Sequence, residues 1–191
     1  MTPEPVTAAA AGTWKLGDLT VNRMGFGAMR LPQTGRALDP GAAPGDRGRA
    51  VRVLRRAVEL GVNHIDTAAF YFSSLRSANE LINTALAPYP DDLVIVTKVG
   101  PGRDPAGEWV PAATPAQLRG QVEENLRQLC RDHLDVVNWR NQRGTAPPPH
   151  RSGWPGRCSA GRTCWPSPAP AIPVTWPRTW PRPPCGSPRT R

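Results

Sequence analysis

The sequence predicts an α/β fold built on a parallel sheet and preceded by a β-hairpin. Three observations carry this. From residue 23 to residue 139 short strand patterns alternate strictly with helical ones, and such alternation means parallel pairing through right-handed crossovers. Leu93-Val94-Ile95-Val96, followed by Thr97, is a continuous apolar run of strand length, as in strands covered on both faces. Beyond residue 143 the pattern stops, because the composition changes. Half a barrel and an open α/β sheet both satisfy this order.

The elements follow from local chemistry. Trp14-Lys15-Leu16 and Leu19-Thr20-Val21 flank Gly17-Asp18, a two-residue hairpin signal with glycine first. Arg23 to Met29 reads as a strand in which Gly25 and Gly27 allow a ligand or backbone to approach closely. Residues 30–46 are a loop rich in Gly and Pro. Val51, Leu54 and Val58 recur at helical spacing, with Gly61 as the stop. Val62 to Asp66 is a short strand, Ser77 to Leu86 a helix, and Leu93 to Thr97 the buried strand. Thr114-Pro115-Ala116-Gln117 opens the next helix with a cap, a proline at its first position and a glutamine at its third. Leu118, Val122, Leu126 and Leu129 line one face of that helix, and Leu134 to Trp139 closes the series as a strand.

Length and charge bound the rest. At 191 residues the chain allows one domain with a tail, and it is too short for a complete (β/α)8 barrel, which needs about 250. It carries no apolar run near the ~20 residues of a membrane span and no secretory signal, so a cytoplasmic location is the expectation. The net charge of +9 lies entirely in the C-terminal part. Residues 1–135 hold fifteen acidic and fifteen basic residues, and nine arginines with no acid follow. Residues 144–191 hold thirteen prolines and four tryptophans, with no Leu and no Lys. Such a segment buries too little to offset its ordering entropy, so it is expected to be a disordered Pro/Arg-rich tail. Its vocabulary is that of GC-rich DNA read out of frame, and a frameshift is the preferred reading. A basic Arg/Trp tail gripping single-stranded nucleic acid and a Pro-rich adaptor ligand are the alternatives. The four cysteines show no C-x-x-C or metal-ligand spacing and read as reduced thiols, so no metal is expected.

The informative stretch for chemistry is His64-Ile65-Asp66-Thr67-Ala68-Ala69-Phe70-Tyr71. Asp66 ends a strand, Tyr71 follows in the loop, and Lys98 ends the next strand. The C-terminal ends of parallel strands are where α/β proteins place their sites. An ammonium beside a phenol stabilises the phenolate. The trio therefore reads as a proton donor (Tyr71), its electrostatic partner (Lys98) and an orienting carboxylate (Asp66). A strand-end salt bridge with a surface tyrosine is the alternative, since ion pairs also form without catalysis. His64 reads as a wall residue, and Gly25 and Gly27 do not form a G-x-G-x-x-G fingerprint. Arg52, Arg55 and Arg56 read as a solvated helix face.

The hairpin, Met24-Gly25-Phe26-Gly27-Ala28-Met29, His64-Ile65-Asp66-Thr67-Ala68, Tyr71, Asn79-Glu80-Leu81-Ile82, Thr97-Lys98 and Leu134-Asp135-Val136-Val137 stand in the order and spacing of a known family. Over residues 13–143 the chain resembles the N-terminal half of an aldo-keto reductase. That resemblance implies the first four strands of a TIM (β/α)8 barrel, NADPH as cofactor and a small aldehyde or ketone as substrate. It implies that Asp66, Tyr71 and Lys98 are catalytic, with Arg140 where the family usually has a histidine. It also implies that Gly27, Ala28, Met29 and Asp66 border the nicotinamide. The segment Asp135 to Asn138 resembles a branch without that histidine, near the pyridoxal reductases. The cofactor groups that the family draws from strands five to eight have no match in 144–191. The expectation is therefore an NADP-dependent oxidoreductase domain, monomeric if intact but truncated, inactive and aggregation-prone as written.

Overall fold

The computed structural model describes residues 6–110 and 114–140. After a short 3-10 turn, Ala8–Ala11, β1 (Thr13–Leu16) pairs antiparallel with β2 (Leu19–Asn22) around Gly17-Asp18, as the hairpin signal predicts. The main sheet has four parallel strands in the order β3 (Phe26–Gly27), β4 (His64–Asp66), β5 (Val94–Val99) and, after a small hairpin, β8 (Val136–Trp139). Three helices cross over between neighbouring strands: α1 (Arg47–Glu59), α2 (Ala78–Leu86) and α3 (Pro115–Leu129). This is the β-α alternation of a partial barrel. The tail expected in 144–191 lies outside the described residues.

Both faces of the sheet are covered, which is why β5 reads as an apolar run. Ile65 and Ile95 point to the helix side, against Leu54 of α1 and Leu81 and Ile82 of α2. Val94, Val96 and Val136 point the other way and pack with Val21, Leu16 and Leu19 of the hairpin. The hairpin thus backs the inner face of the sheet, and the strands' C-terminal ends carry the polar residues.

Several elements differ from their sequence patterns for local reasons. α1 starts at Arg47, four residues before its apolar spacing shows, because the Asp46 carboxylate accepts from the Arg49 amide and caps it. The strand expected over 23–29 shrinks to Phe26–Gly27, since the Ala28 amide donates to the Asp66 carbonyl and the chain then turns at Leu31. α3 begins with the expected capping box between Thr114 and Gln117, but its buried face differs. Asn125 and Leu129 are the buried residues, whereas Leu118, Val122 and Leu126 are only half-buried. An apolar count does not register a buried amide. Two further strands, β6 (Gly102–Arg103) and β7 (Trp109–Val110), form a small hairpin between β5 and α3 that no strand pattern announces. Cys130 closes α3 in the left-handed conformation, and the other three cysteines lie outside the described residues.

Candidate active site

Register places the site. Asp66 pairs with Val96, Lys98 with Asn138, and Gly27 with Asp66. Side chains alternate across a strand, so Gly27, Asp66, Lys98 and Asn138 share the inner face at the C-terminal end of the sheet. There the Lys98 ammonium donates to Asp66 Oδ1 and to the Thr67 carbonyl at 3.0 Å. It also lies 4.9 Å from the centroid of the Tyr71 ring, within cation–π range. The Lys98 side chain is 14% exposed and that of Asp66 43%, so the carboxylate forms the wet rim of the pair. Tyr71 is 5% exposed and meets Phe70 edge-on at 5.1 Å between centroids. The sequence trio therefore forms one cluster.

The remaining expected residues surround it. A Cβ placed at Gly27 meets no atom within 4 Å, so open space lies in front of this strand end. Ala28 is fully buried and Met29 is partly exposed. The Arg140 guanidinium lies 5.4 Å from the Phe70 ring and 5.7 Å from the Trp109 ring, while its amide donates to the Val99 carbonyl. It borders the cluster through these aromatics and forms no described hydrogen bond with Asp66, Lys98 or Tyr71. A cleft on this side is lined by Phe70, Phe72, Lys98, Arg103 and Gln121 among others. Gly25 is not a ligand approach: a Cβ there would lie 2.0 Å from His64 Nε2, so this glycine makes room for the imidazole. Burial lowers the proton affinity of His64, against opposing effects of Asp66 and the Asn22 backbone. Among the described residues no group of three or more His, Cys, Asp or Glu could hold a metal.

Sequence patterns missed what holds these strand ends in place. Thr67 Oγ1 donates to Asn79 Oδ1 at 2.8 Å, Asn79 Nδ2 to Asn125 Oδ1 at 3.0 Å, and Thr97 Oγ1 to Asn125 Oδ1 at 2.5 Å. All four residues are fully buried. Thr67 follows Asp66 and Thr97 precedes Lys98, so this polar ladder ties both strand ends to α2 and α3. One turn along α3, the Gln121 amide clamps Gly100, accepting from its N–H and donating to its carbonyl, both at 2.7 Å. Gly100 has φ +125°, and a Cβ there would lie 2.2 Å from the Arg140 carbonyl oxygen. Only glycine lets β5 and β8 end this close together.

The family model described as the aldo/keto reductase family matches residues 23–145, more than half of the chain. The chain belongs to the aldo/keto reductase family. Pyridoxine 4-dehydrogenase of Escherichia coli is 47% identical over 140 residues, covering 73% of this chain and 47% of that protein. An uncharacterised oxidoreductase of Schizosaccharomyces pombe is 40% identical over 131 residues, covering 69% of this chain and 40% of its own. Among solved structures, a Pseudomonas aeruginosa protein classed with the aldo-keto reductases superposes with a TM-score of 0.57 at 28% identity. The match covers 73% of this chain and 51% of that one. This aldo/keto reductase chain thus spans about half the length of the relatives it matches.

Proposed function

We propose that this chain carries the catalytic half of an NADPH-dependent carbonyl reductase, with Tyr71 as proton donor, Lys98 and Asp66 as its charged support, and Arg140 as a donor to the substrate. The observation that carries the reading is the Lys98 ammonium, bound to Asp66 and facing the Tyr71 ring at the C-terminal end of a parallel sheet. The described residues fit the nicotinamide end of the cofactor: Gly27 leaves open space beside the half-exposed Asp66, with Ala28 and Met29 at the border. Groups for the rest of the cofactor have no counterpart among the described residues.

When bound, the reduced nicotinamide supplies the hydride that a carbonyl carbon takes up. Tyr71 gives its phenolic proton to the carbonyl oxygen, which completes the alcohol, and solvent reprotonates it. Lys98 faces the ring of that phenol, so its charge supports the phenolate that results, and Asp66 holds the ammonium there. The buried Phe70, edge-on to the Tyr71 ring, keeps water from one side of the donor. The substrate class is a small aldehyde or ketone. A pyridoxal-type aldehyde is the first to try, given the relative named pyridoxine 4-dehydrogenase.

The domain reading is that residues 13–143 hold the first half of the barrel, with 144–191 translated out of frame. The expected outcome is little NADPH oxidation with pyridoxal by this chain alone. Residues 1–140 grafted onto the second half of the E. coli relative should turn over at ordinary rates. Tyr71→Phe should lower the graft's rate by roughly 10²–10⁴-fold; an unchanged rate sinks the assignment. Translating all frames of the gene beyond codon 135 tests the reading of the tail, which requires further β-α units in another frame. No observation favours the nucleic-acid reading, whose residues lie outside those described.

A further inference from the structure

Tyr71 sits in a loop whose backbone is held by four separate bonds. The Tyr71 amide donates to the Ala68 carbonyl at 3.0 Å, and the Tyr71 carbonyl accepts from the Ala78 amide at 2.8 Å. The two flanking carbonyls, of Phe70 and Phe72, go to one group. Arg103 Nη1 donates to Phe72 O at 2.9 Å and more weakly to Phe70 O at 3.4 Å. Its Nε donates to Gly107 O at 2.8 Å, and its plane lies 4.6 Å from the Phe72 ring centroid. Among the described residues Arg103 forms no ion pair, so its fork serves carbonyls and a ring instead of a carboxylate.

The small β6–β7 hairpin is built to present this group. Gly107 amide bonds to Asp104 O at 2.8 Å, and the Asp104 carboxylate accepts from the Glu108 amide at 2.9 Å, which closes the turn. Gly107 has φ +90°, and a Cβ there would lie 2.7 Å from Arg103 Nη2, so glycine supplies both the turn and the room beside the guanidinium. On the other strand Trp109 packs against Phe70 at 5.6 Å. The hairpin therefore grips the residues on both sides of Tyr71.

We propose that Arg103 is the positioning residue of Tyr71: its guanidinium, presented by the β6–β7 hairpin, fixes the Phe70 and Phe72 carbonyls and so sets where the phenol stands over Lys98. This rests on the reading of Tyr71 as the proton donor. A planar fork can bridge carbonyls in a way that a single ammonium on a flexible stem does not.

The test is hydrogen exchange with mass analysis on the full 191-residue chain, comparing Arg103→Ala and Arg103→Lys with the parent. Amides of 70–73 should exchange about tenfold faster in both variants, with amides of 81–86 in α2 unchanged. Millimolar guanidinium ion should restore protection in Arg103→Ala. If 70–73 stay protected in both variants, or if α2 loosens equally in both, Arg103 does not act on Tyr71 specifically and the proposal falls. The graft described above supplies the kinetic arm: kcat should fall with KM for NADPH unchanged, and an unchanged kcat also overturns the proposal. A parent graft that reduces no carbonyl would defeat the reductase reading, while the exchange data still decide whether Arg103 fixes the loop.

Discussion

At the scale of single residues, the chemistry hangs on where a few side chains are forced to stand. Lys98 is nearly buried and turns its ammonium to one carboxylate and one carbonyl, because a buried cation needs partners for its protons. Asp66, Tyr71 and Lys98 were all legible in the sequence, since strand ends and loop starts are visible as the points where apolar runs stop. Gly25 was legible only as a glycine. Its reason is His64, whose imidazole fills the space that a side chain would take, and no spacing rule pairs two residues 39 apart. Gly25→Ala should lower stability by about 1–3 kcal/mol through overpacking. A urea titration of Gly25→Ala, His64→Ala and the double variant checks this. The double variant should recover part of the loss, as coupled neighbours do; strict additivity would contradict the contact.

At the scale of elements, the helices divide into those whose sequence announces them and one whose burial does not follow its apolar stripe. The start of α3 was readable because a capping box is a local device: Thr114 and Gln117 satisfy each other's backbone. Thr114→Ala should cost about 1 kcal/mol in a urea titration. The inner face of α3 was not readable, because Asn125 and Gln121 face the strand ends in place of leucines. Their partners, Thr97, Asn79 and Gly100, come from other elements. Asn125→Leu keeps the branched shape but leaves the Thr97 hydroxyl and the Asn79 Nδ2 group without their buried acceptor, and should cost about 1–3 kcal/mol by the same titration. A neutral result would mean that water replaces the amide. The β6–β7 hairpin escaped notice because two-residue strands leave no periodicity, and its purpose lies in contacts with the β4–α2 loop.

At the scale of the whole molecule, a four-stranded parallel sheet has the hairpin on its inner face and helices on its outer face, with the polar residues gathered at one end. His64 stands on that inner face, and its Nδ1 is buried with no hydrogen-bond partner among the described residues. Burial lowers its proton affinity in the folded state. Below its ordinary value of 6.5 the unfolded chain therefore binds the proton more readily than the folded one. Stability should rise with pH through that window and fall as the pH drops beneath it. Urea midpoints at pH 5.5 and 7.5 should differ in this sense for the parent, and His64→Gln should flatten the difference. An equal slope in the variant would place the acid sensitivity elsewhere. No helix among the described residues is long and apolar enough to cross a membrane.

By itself the sequence determined the α/β class, the order of the main-sheet strands and their helices, the first hairpin, the cap of α3 and the residues at the strand ends. These depend on neighbours within a few positions, where periodicity, glycine, proline and capping side chains act directly. Tertiary structure alone decided that Lys98 binds Asp66 while facing Tyr71, that a buried Thr–Asn ladder secures both strand ends, and that Arg103 reaches across from a hairpin to the loop of Tyr71. The Asn79–Asn125, Lys98–Asp66 and Arg103–Phe72 contacts join residues 31 to 46 positions apart, and only the sheet's register and the helix crossovers bring them together.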